Sequence, residues 1–440
     1  MNNYKLLTKK INNHSAKICI VGLGYVGLPL LIHFNKKKFE LIGYDRDKKK
    51  INNLNKGISY ISNIKDKTIE SLSKSKKIYF TSNEKTLSDA DVIICCLPTP
   101  IKKNKSPDMK YIRDFSLLIK KFVKKGQLII LESTTYPGTS EDYIVSICKK
   151  KKLEIGKDVF VGYSPEREDP GNKNFSLSNT PKVVSGFSKQ CLILCKNLYS
   201  KISVKTVEVK DIRTAEAVKI YENIFRSINI SLVNEMHIIL SRLNINIYDV
   251  IKAAKTKPFG FMPFYPGPGL GGHCIPIDPH LINWVAKSKG YASKFIELSA
   301  KINHERINKI FKFIFSYLLK KKFEKKNIKI LIVGVAYKKN TNDCRESPAL
   351  KLIEILNKKK IKFDFYDPYV KELKYFRMYG LLNQKGLRSL EKINEYTCSV
   401  ILTDHDIIDY KKILKKSNLI FDTRGIYNSF DSKKIVNLLF

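Results

Sequence analysis

An apolar run, KICIV (17–21), breaks at GLGYVG into three glycines, Gly22, Gly24 and Gly27, and resumes as LPLLIHF (28–34). This GxGxxG spacing between a strand-like and a helix-like run leaves few folds open. The first glycine admits a tight turn, the second lets backbone approach a pyrophosphate, and the third lets helix and strand pack closely. A second apolar run, FELIGYD (39–45), ends in Asp45 at the distance of roughly 20 residues that the pattern requires. A carboxylate there accepts from adenosine ribose hydroxyls and favours NAD over NADP, although Arg46 beside it keeps NADP in view. The stretch predicts a dinucleotide site with the phosphates at a helix N-terminus.

Further buried runs follow at KIYFTS (77–82), DVIICCLPTP (91–100), QLIILESTTYPG (127–138) and VFVGYSPE (159–166), with mixed stretches between them. Near-continuous apolar strands alternating with helices predict an α/β fold with a parallel, doubly wound sheet. From Thr214 the period changes. Residues 214–243 lack Gly and Pro and repeat apolar side chains at helical spacing, predicting one long helix with another at 246–256. The long helix is either a linker and dimer surface or an ordinary packing helix, because an apolar stripe does not say whose core it joins. The lysine-rich 318–327 reads as a boundary. IKILIVGVAYK (328–338), KFDFYDPYV (362–370), CSVILTDHD (398–406) and NLIFDTRG (418–425) then predict a second α/β domain.

The chain has 440 residues, enough for two or three domains. Its net charge of +40 invites a nucleic-acid reading, but the excess is mostly lysine spread evenly along the chain rather than gathered on one face. No specific nucleic-acid partner is expected. The nine cysteines include no CxxC pair, which favours a reducing compartment. No apolar signal segment precedes residue 17, and no run reaches the roughly 18 apolar residues of a membrane span. The expectation is a cytoplasmic protein with no membrane partner. The polar leader, residues 1–16, has no assigned role.

Thr99, Ser133 and Thr134 end predicted strands, where ligands of an open α/β sheet lie. Glu166 ends another and reads as an exposed loop acid. On the long helix, Lys219 and Asn223 are four residues apart and share a face, as do Glu222 and Arg226. YPGPGLGGHCIPIDPH (265–280) surrounds Cys274 with glycine and proline. His273, Cys274 and Asp278 match no zinc spacing, so no metal is expected. Glycines beside a thiol let a substrate approach it closely.

VGLGYVGLPL, SPEREDPG, AEAVKIYEN, TKPFGFMPFYPGPGLGGHCIPIDP, VAYKKNTNDCRESPAL and TDH occur in this order. Together they resemble the UDP-glucose/GDP-mannose dehydrogenase family, and most closely its UDP-N-acetylglucosamine 6-dehydrogenase branch. The resemblance implies two Rossmann-like doubly wound domains joined by a central helical segment: an NAD-binding domain over 15–208, a helical dimerisation and catalytic segment over 209–310, and a UDP-sugar-binding domain over 325–440. It implies a homodimer through the central helix, NAD as cofactor, and a four-electron oxidation of the sugar C6 alcohol to a carboxylate for surface polysaccharides.

Residue by residue, the resemblance makes Cys274 the nucleophile that forms a thiohemiacetal and then a thioester. Lys219 and Asn223 would stabilise oxyanions, Asp278 would orient Lys219 or a water, and Glu166 with Thr134 would serve the hydrolytic water. The cofactor set would be Gly22, Gly24, Tyr25, Val26, Gly27, Asp45, Lys50, Thr99, Ser133, Thr134 and Arg345. Substrate would meet Glu166, Arg167, Lys219, Asn223, Arg226, Tyr265, Gly267, Gly271, Lys338 and Arg424. Two departures point away from glucose: Ile277 stands where UDP-glucose members carry a lysine, and EREDPG replaces their acidic loop. UDP-N-acetylglucosamine is therefore the first expectation, ahead of the N-acetylgalactosamine and N-acetylmannosamine epimers and UDP-glucose. A non-catalytic nucleotide-sugar binder would not need the thiol.

Overall fold

The computed structural model describes residues 2–61, 64–102, 104–167, 178–376 and 380–438. The chain divides into two compact units, Met1–Glu222 with His280–Tyr291, and Asn223–Pro279 with Ala292–Phe440. Among the described residues, no helix is long and apolar enough to cross a membrane.

The first unit is built on eight strands: β1 (Lys17–Val21), β2 (Glu40–Tyr44), β3 (Ile78–Thr81), β4 (Val92–Cys95), β5 (Leu128–Leu131), β6 (Phe160–Tyr163), β7 (Lys182–Gly186) and β8 (Thr206–Glu208). Their order is β3-β2-β1-β4-β5-β6-β7-β8, with β1 to β6 mutually parallel. Every residue of β4, β5 and β6 is buried, as expected for strands covered on both faces. The chain runs outward from β1 to β3 and then restarts at β4 on the other side of β1. The two loops that leave β1 and β4 diverge there and open a crevice.

Two features of this unit were not anticipated. β7 pairs antiparallel with β6, so its first residue lies beside the end of β6. The leader is also structured: Asn3–Asn12 is a helix whose cap Asn2 accepts from the Tyr4 amide, and it buries Leu7 and Ile11 in the core of this unit.

The second unit holds β9 (Lys329–Val333), β10 (Lys362–Tyr366), a hairpin β11 (Glu372–Phe376) with β12 (Gly380–Lys385), and β13 (Cys398–Ile401), β14 (Ile420–Asp422) and β15 (Ile435–Val436). The sheet order is β10-β9-β13-β14-β15, all parallel. Here the loops leaving β9 and β13 diverge. The helix Lys294–Lys320 buries Ile307, Ile310, Ile314 and Leu318 in the core beneath this sheet. The lysine-rich 318–327 therefore lies inside the second unit, as the end of that helix and a short 3-10 turn, because the helix shares the core of the strands that follow. The predicted long helix is Ile212–Arg242, and the one after it Ile247–Ala254, capped by Asn246.

Candidate active site

In the first unit, each glycine of the turn after β1 has a distinct geometry. Gly22 has φ +94°, where a side chain would be strained and would meet the Cys96 carbonyl oxygen at 2.9 Å. A Cβ on Gly27 would sit 2.0 Å from the Gly22 oxygen, so helix Gly27–Lys36 can dock only without one. A Cβ on Gly24 would meet nothing within 4 Å. That open space, beside backbone at a helix start, fits a pyrophosphate. Tyr25 and Val26 lie between these glycines, with Val26 the residue before the helix.

Asp45 is buried at the end of β2. It accepts from the Leu23 amide at 3.0 Å, the Asp47 amide at 2.9 Å and Lys50 at 3.2 Å. A carboxylate has about four acceptor positions, so one hydroxyl can still be taken. Lys50 thus neutralises Asp45. Arg46 turns to Asp114 at 3.5 Å and lies over the Tyr111 ring at 4.8 Å. The turn and its acid fit NAD.

The ends of β4, β5 and β6 bring the next residues together. The buried Thr99 donates its hydroxyl to the Thr134 carbonyl. The buried Ser133 hydroxyl lies 3.4 Å from the Cys95 oxygen, while Thr134 is half-buried. Glu166 is not the exposed acid expected. Its side chain is only 12% exposed, because buried Lys182 draws it inward at 3.4 Å. Arg167 reaches Glu222 at 2.8 Å and the Pro181 carbonyl at 2.8 Å, so Glu222 pairs across the fold rather than along its own helix. Lys219 is half-buried on that helix. Three residues nearer its start, Glu216 is fully buried and accepts from the Gly138 amide and from the Ser140 amide and hydroxyl, pinning the segment that follows Thr134.

In the second unit, Asp278 begins the helix Asp278–Ser288, and its carboxylate accepts from the Asn223 amide at 2.6 Å. Both are buried. Cys274 lies one turn before Asp278 and its carbonyl accepts the Asp278 amide at 2.8 Å. It is the only exposed cysteine of the nine; the other eight are buried. Burial and the Arg345 guanidinium push neighbouring His273 down to about 4, so a neutral ring flanks the thiol. Among the described residues, no group of three His, Cys, Asp or Glu side chains could hold a metal.

The glycines before Cys274 let the loop settle on the loops that leave β9. Cβ atoms on Gly271 and Gly272 would each come within 2.7 Å of Tyr337, and the Gly272 amide donates to the Arg345 carbonyl at 3.0 Å. Gly267 is held from two sides: its amide donates to Asn234 at 2.9 Å, and its carbonyl accepts from buried Arg306 at 3.1 Å. A Cβ there would stand 2.9 Å from Arg424. Tyr265 at the start of the loop is exposed, as is Arg226 on the long helix.

Arg424, after β14, pairs with Asp404, after β13, at 2.8 Å. Half-buried Lys338 follows β9, and exposed Arg345 grips Asp343 at 2.6 Å. Three cations thus gather on the loops at the C-terminal ends of the second sheet, where a diphosphate binds well. Asp367 and His405, 3.0 Å apart and fully buried, tie these loops together: Asp367 also accepts the Val335 and Ala336 amides, and His405 accepts from the Asn340 amide.

Sequence reasoning missed Lys182, Glu132, Glu216, Asn234 and Arg306, all buried and polar. The available signals were Glu132 next to Ser133 at a strand end, and Asn234 on the helical stripe of Asn223.

A glycine turn of dinucleotide type with a buried acid at the end of the next strand, an exposed thiol on a glycine loop and three cations on the loops of the second sheet are the features of an NAD-dependent oxidoreductase of nucleotide sugars. Comparison with known proteins agrees. The UDP-glucose/GDP-mannose dehydrogenase family matches in three parts: its NAD binding domain over residues 16–203, its central domain over 213–305 and its UDP binding domain over 331–429. The chain belongs to this family. It is 34% identical over 392 residues to the UDP-N-acetyl-D-glucosamine 6-dehydrogenase of Salmonella typhi, covering 89% of this chain and 90% of that protein. It is 36% identical over 371 residues to the Pseudomonas aeruginosa enzyme of the same name, covering 83% and 86%. Among solved structures, UDP-D-ManNAc dehydrogenase from Pyrococcus horikoshii superposes with a TM-score of 0.84 at 30% identity, covering 96% of this chain and 97% of that one.

Proposed function

We propose that this chain oxidises UDP-N-acetyl-D-glucosamine at C6 to the uronic acid, for a surface polysaccharide made in the cytoplasm. The observation that carries the reading is Cys274, the one exposed thiol, on a glycine loop one turn before an Asp278 held by Asn223. Two NAD, bound in succession, would supply the hydride acceptors, one for each oxidation. The first oxidation turns the C6 alcohol into an aldehyde. The Cys274 sulfur adds to the aldehyde carbon, and the second hydride loss leaves a thioester. Water then adds to the carbonyl carbon, the carbon–sulfur bond breaks, and the electron pair returns to sulfur. Lys219 and Asn223 stabilise the oxyanions, and Asp278 orients the group that serves them. Glu166, with Thr134, takes the proton from water.

In the same reading, residues 15–208 hold NAD, 209–310 carry the thiol and the homodimer surface, and 325–440 hold the UDP moiety through Lys338 and Arg424, with Arg345 serving the cofactor. Exposed Tyr221, Phe225, Leu232 and Ile239 on the long helix support a second copy as its partner. The similarity to UDP-D-ManNAc dehydrogenase favours the mannosamine epimer as the second reading.

A panel of UDP-sugars with NAD, followed by NADH absorbance and product mass, tests the proposal. Turnover greatest with UDP-N-acetylglucosamine, and a Cys274→Ser variant that binds sugar but makes no acid, are the expected results. Absence of turnover with every UDP-hexose overturns it, and a preference for UDP-N-acetylmannosamine selects the second reading.

A further inference from the structure

A lysine is 1% exposed at the first position of β7. Burying an ammonium is costly unless it is paired and hydrogen-bonded. Lys182 has two carboxylate partners: Glu132 at 3.3 Å, itself fully buried, and Glu166 at 3.4 Å. It also stands 5.3 Å from the centre of the Tyr199 ring, whose hydroxyl donates to Glu132. The antiparallel pairing of β7 with β6 makes this cluster possible. It brings the start of β7 beside the end of β6, where the Ser164 hydroxyl donates to the Val183 carbonyl at 2.7 Å, two residues before Glu166. In a parallel pairing Lys182 would emerge at the opposite edge of the sheet.

One ammonium and one carboxylate would satisfy each other. The second carboxylate, Glu166, is the member of the cluster that reaches towards solvent. The other, Glu132, is rooted: one oxygen takes Lys182 and Tyr199, and the second has no hydrogen-bond partner among the described residues. We infer that Lys182, anchored by Glu132, is a positioning residue that holds the Glu166 carboxylate in place for the hydrolytic step. This rests on the reading above, in which Glu166 takes a proton from the water whose oxygen bonds to the thioester carbon as the Cys274 sulfur leaves.

The charged and titratable groups facing Glu166, among the described residues, are Lys182 from β7, Glu132 from the end of β5 and Cys96 from the end of β4, with Tyr199 beyond Glu132; the Arg167 backbone amide also donates to Glu166 at 2.7 Å, while its guanidinium turns to Glu222. Burial pushes the Glu132 carboxyl up to about 7 against the pull of Lys182, so the Lys182 ammonium is the standing charge of the cluster that faces Glu166.

The experiment compares Lys182→Met, Lys182→Arg and Glu132→Gln with the wild-type enzyme. The acid limb of kcat should move to higher pH by about one unit in Lys182→Met and stay in place in Lys182→Arg and in Glu132→Gln, where burial already keeps the carboxyl protonated at acid pH. In Lys182→Met the first-turnover NADH burst should persist while a sugar adduct on Cys274 accumulates in intact-protein mass spectra. Carbon-13 NMR titration of the Glu166 carboxyl should follow the same pattern without turnover, and Lys182→Gln keeps the test open if the Met variant does not fold. An unmoved limb in Lys182→Met or Lys182→Gln, or a limb displaced equally in Lys182→Arg, overturns the inference. A wild-type enzyme inactive on every UDP-hexose overturns the functional reading instead, while the NMR titration still decides whether Lys182 governs Glu166.

Discussion

The Asn223 side-chain amide donates to the Asp278 carboxylate at 2.6 Å, with both side chains buried, in the same unit as Cys274. A hydrogen bond to a buried charge contributes about 1.5–3 kcal/mol. Asn223→Ala should lower stability by about that amount and acid formation about 100-fold, the scale of an oxyanion donor. Asn223→Asp sets a second carboxylate against the first. Its chemical-denaturation midpoint should recover as pH falls and the two share a proton. An Asp variant equally stable at pH 5 and pH 8 would contradict this geometry.

The nucleotide turn separates two kinds of glycine. Gly27→Ala forces a Cβ to 2.0 Å from the Gly22 oxygen, and should cost about 1–3 kcal/mol or more by thermal or urea unfolding. Gly24→Ala meets no protein atom within 4 Å and should unfold like the wild type. Its NAD affinity, measured by calorimetry, should fall roughly tenfold or more, because in the proposed reading the added methyl fills the open space left for phosphate.

Cys274 is the sole exposed thiol, so native protein should take up one equivalent of a maleimide rapidly and the other eight cysteines should react only after denaturation. Cys274→Ser should remove the rapid phase. Fast labelling of a second site would show that the packing around the buried thiols is wrong.

Glu216 gives a pH signature. Burial pushes its carboxyl up from 4.5 to about 7, although the Ser140 and Gly138 donors pull the other way. The folded value lies above the unfolded one, so the native state holds this proton more tightly and the charge weighs against folding as pH rises from about 4.5 to 7. A Glu216→Gln variant has no such charge. Whatever its stability at pH 4.5, it should gain on the wild type as pH rises to 8, read as the difference in denaturation midpoints. A constant difference across that range would refute the assignment.

The parallel strands were legible because a strand covered on both faces must be apolar throughout, as IIC (93–95) and LIIL (128–131) are. The nucleotide turn was legible because its glycines answer to backbone geometry rather than to side-chain chemistry. β7 was not, because Lys182 at its head makes a buried strand resemble the rim of a loop. The same lysine hid the inward turn of Glu166: a pairing across 16 residues and two antiparallel strands leaves no local periodicity. Asn234 and Arg306 were missed for the same reason. Their partner is the backbone of Gly267, which carries no side-chain signal.

The helix Asn3–Asn12 bears on how the protein is handled. The match to the family's NAD binding domain begins at residue 16, and a shortened version designed from that match would discard this helix. Leu7 and Ile11 would leave the core, and the anchor from Lys10 to Asp91 at 2.6 Å would go with them. An apolar scar would remain on the first unit, inviting aggregation during purification. A cleavable tag is therefore better joined ahead of Asn2, with the first twelve residues kept intact.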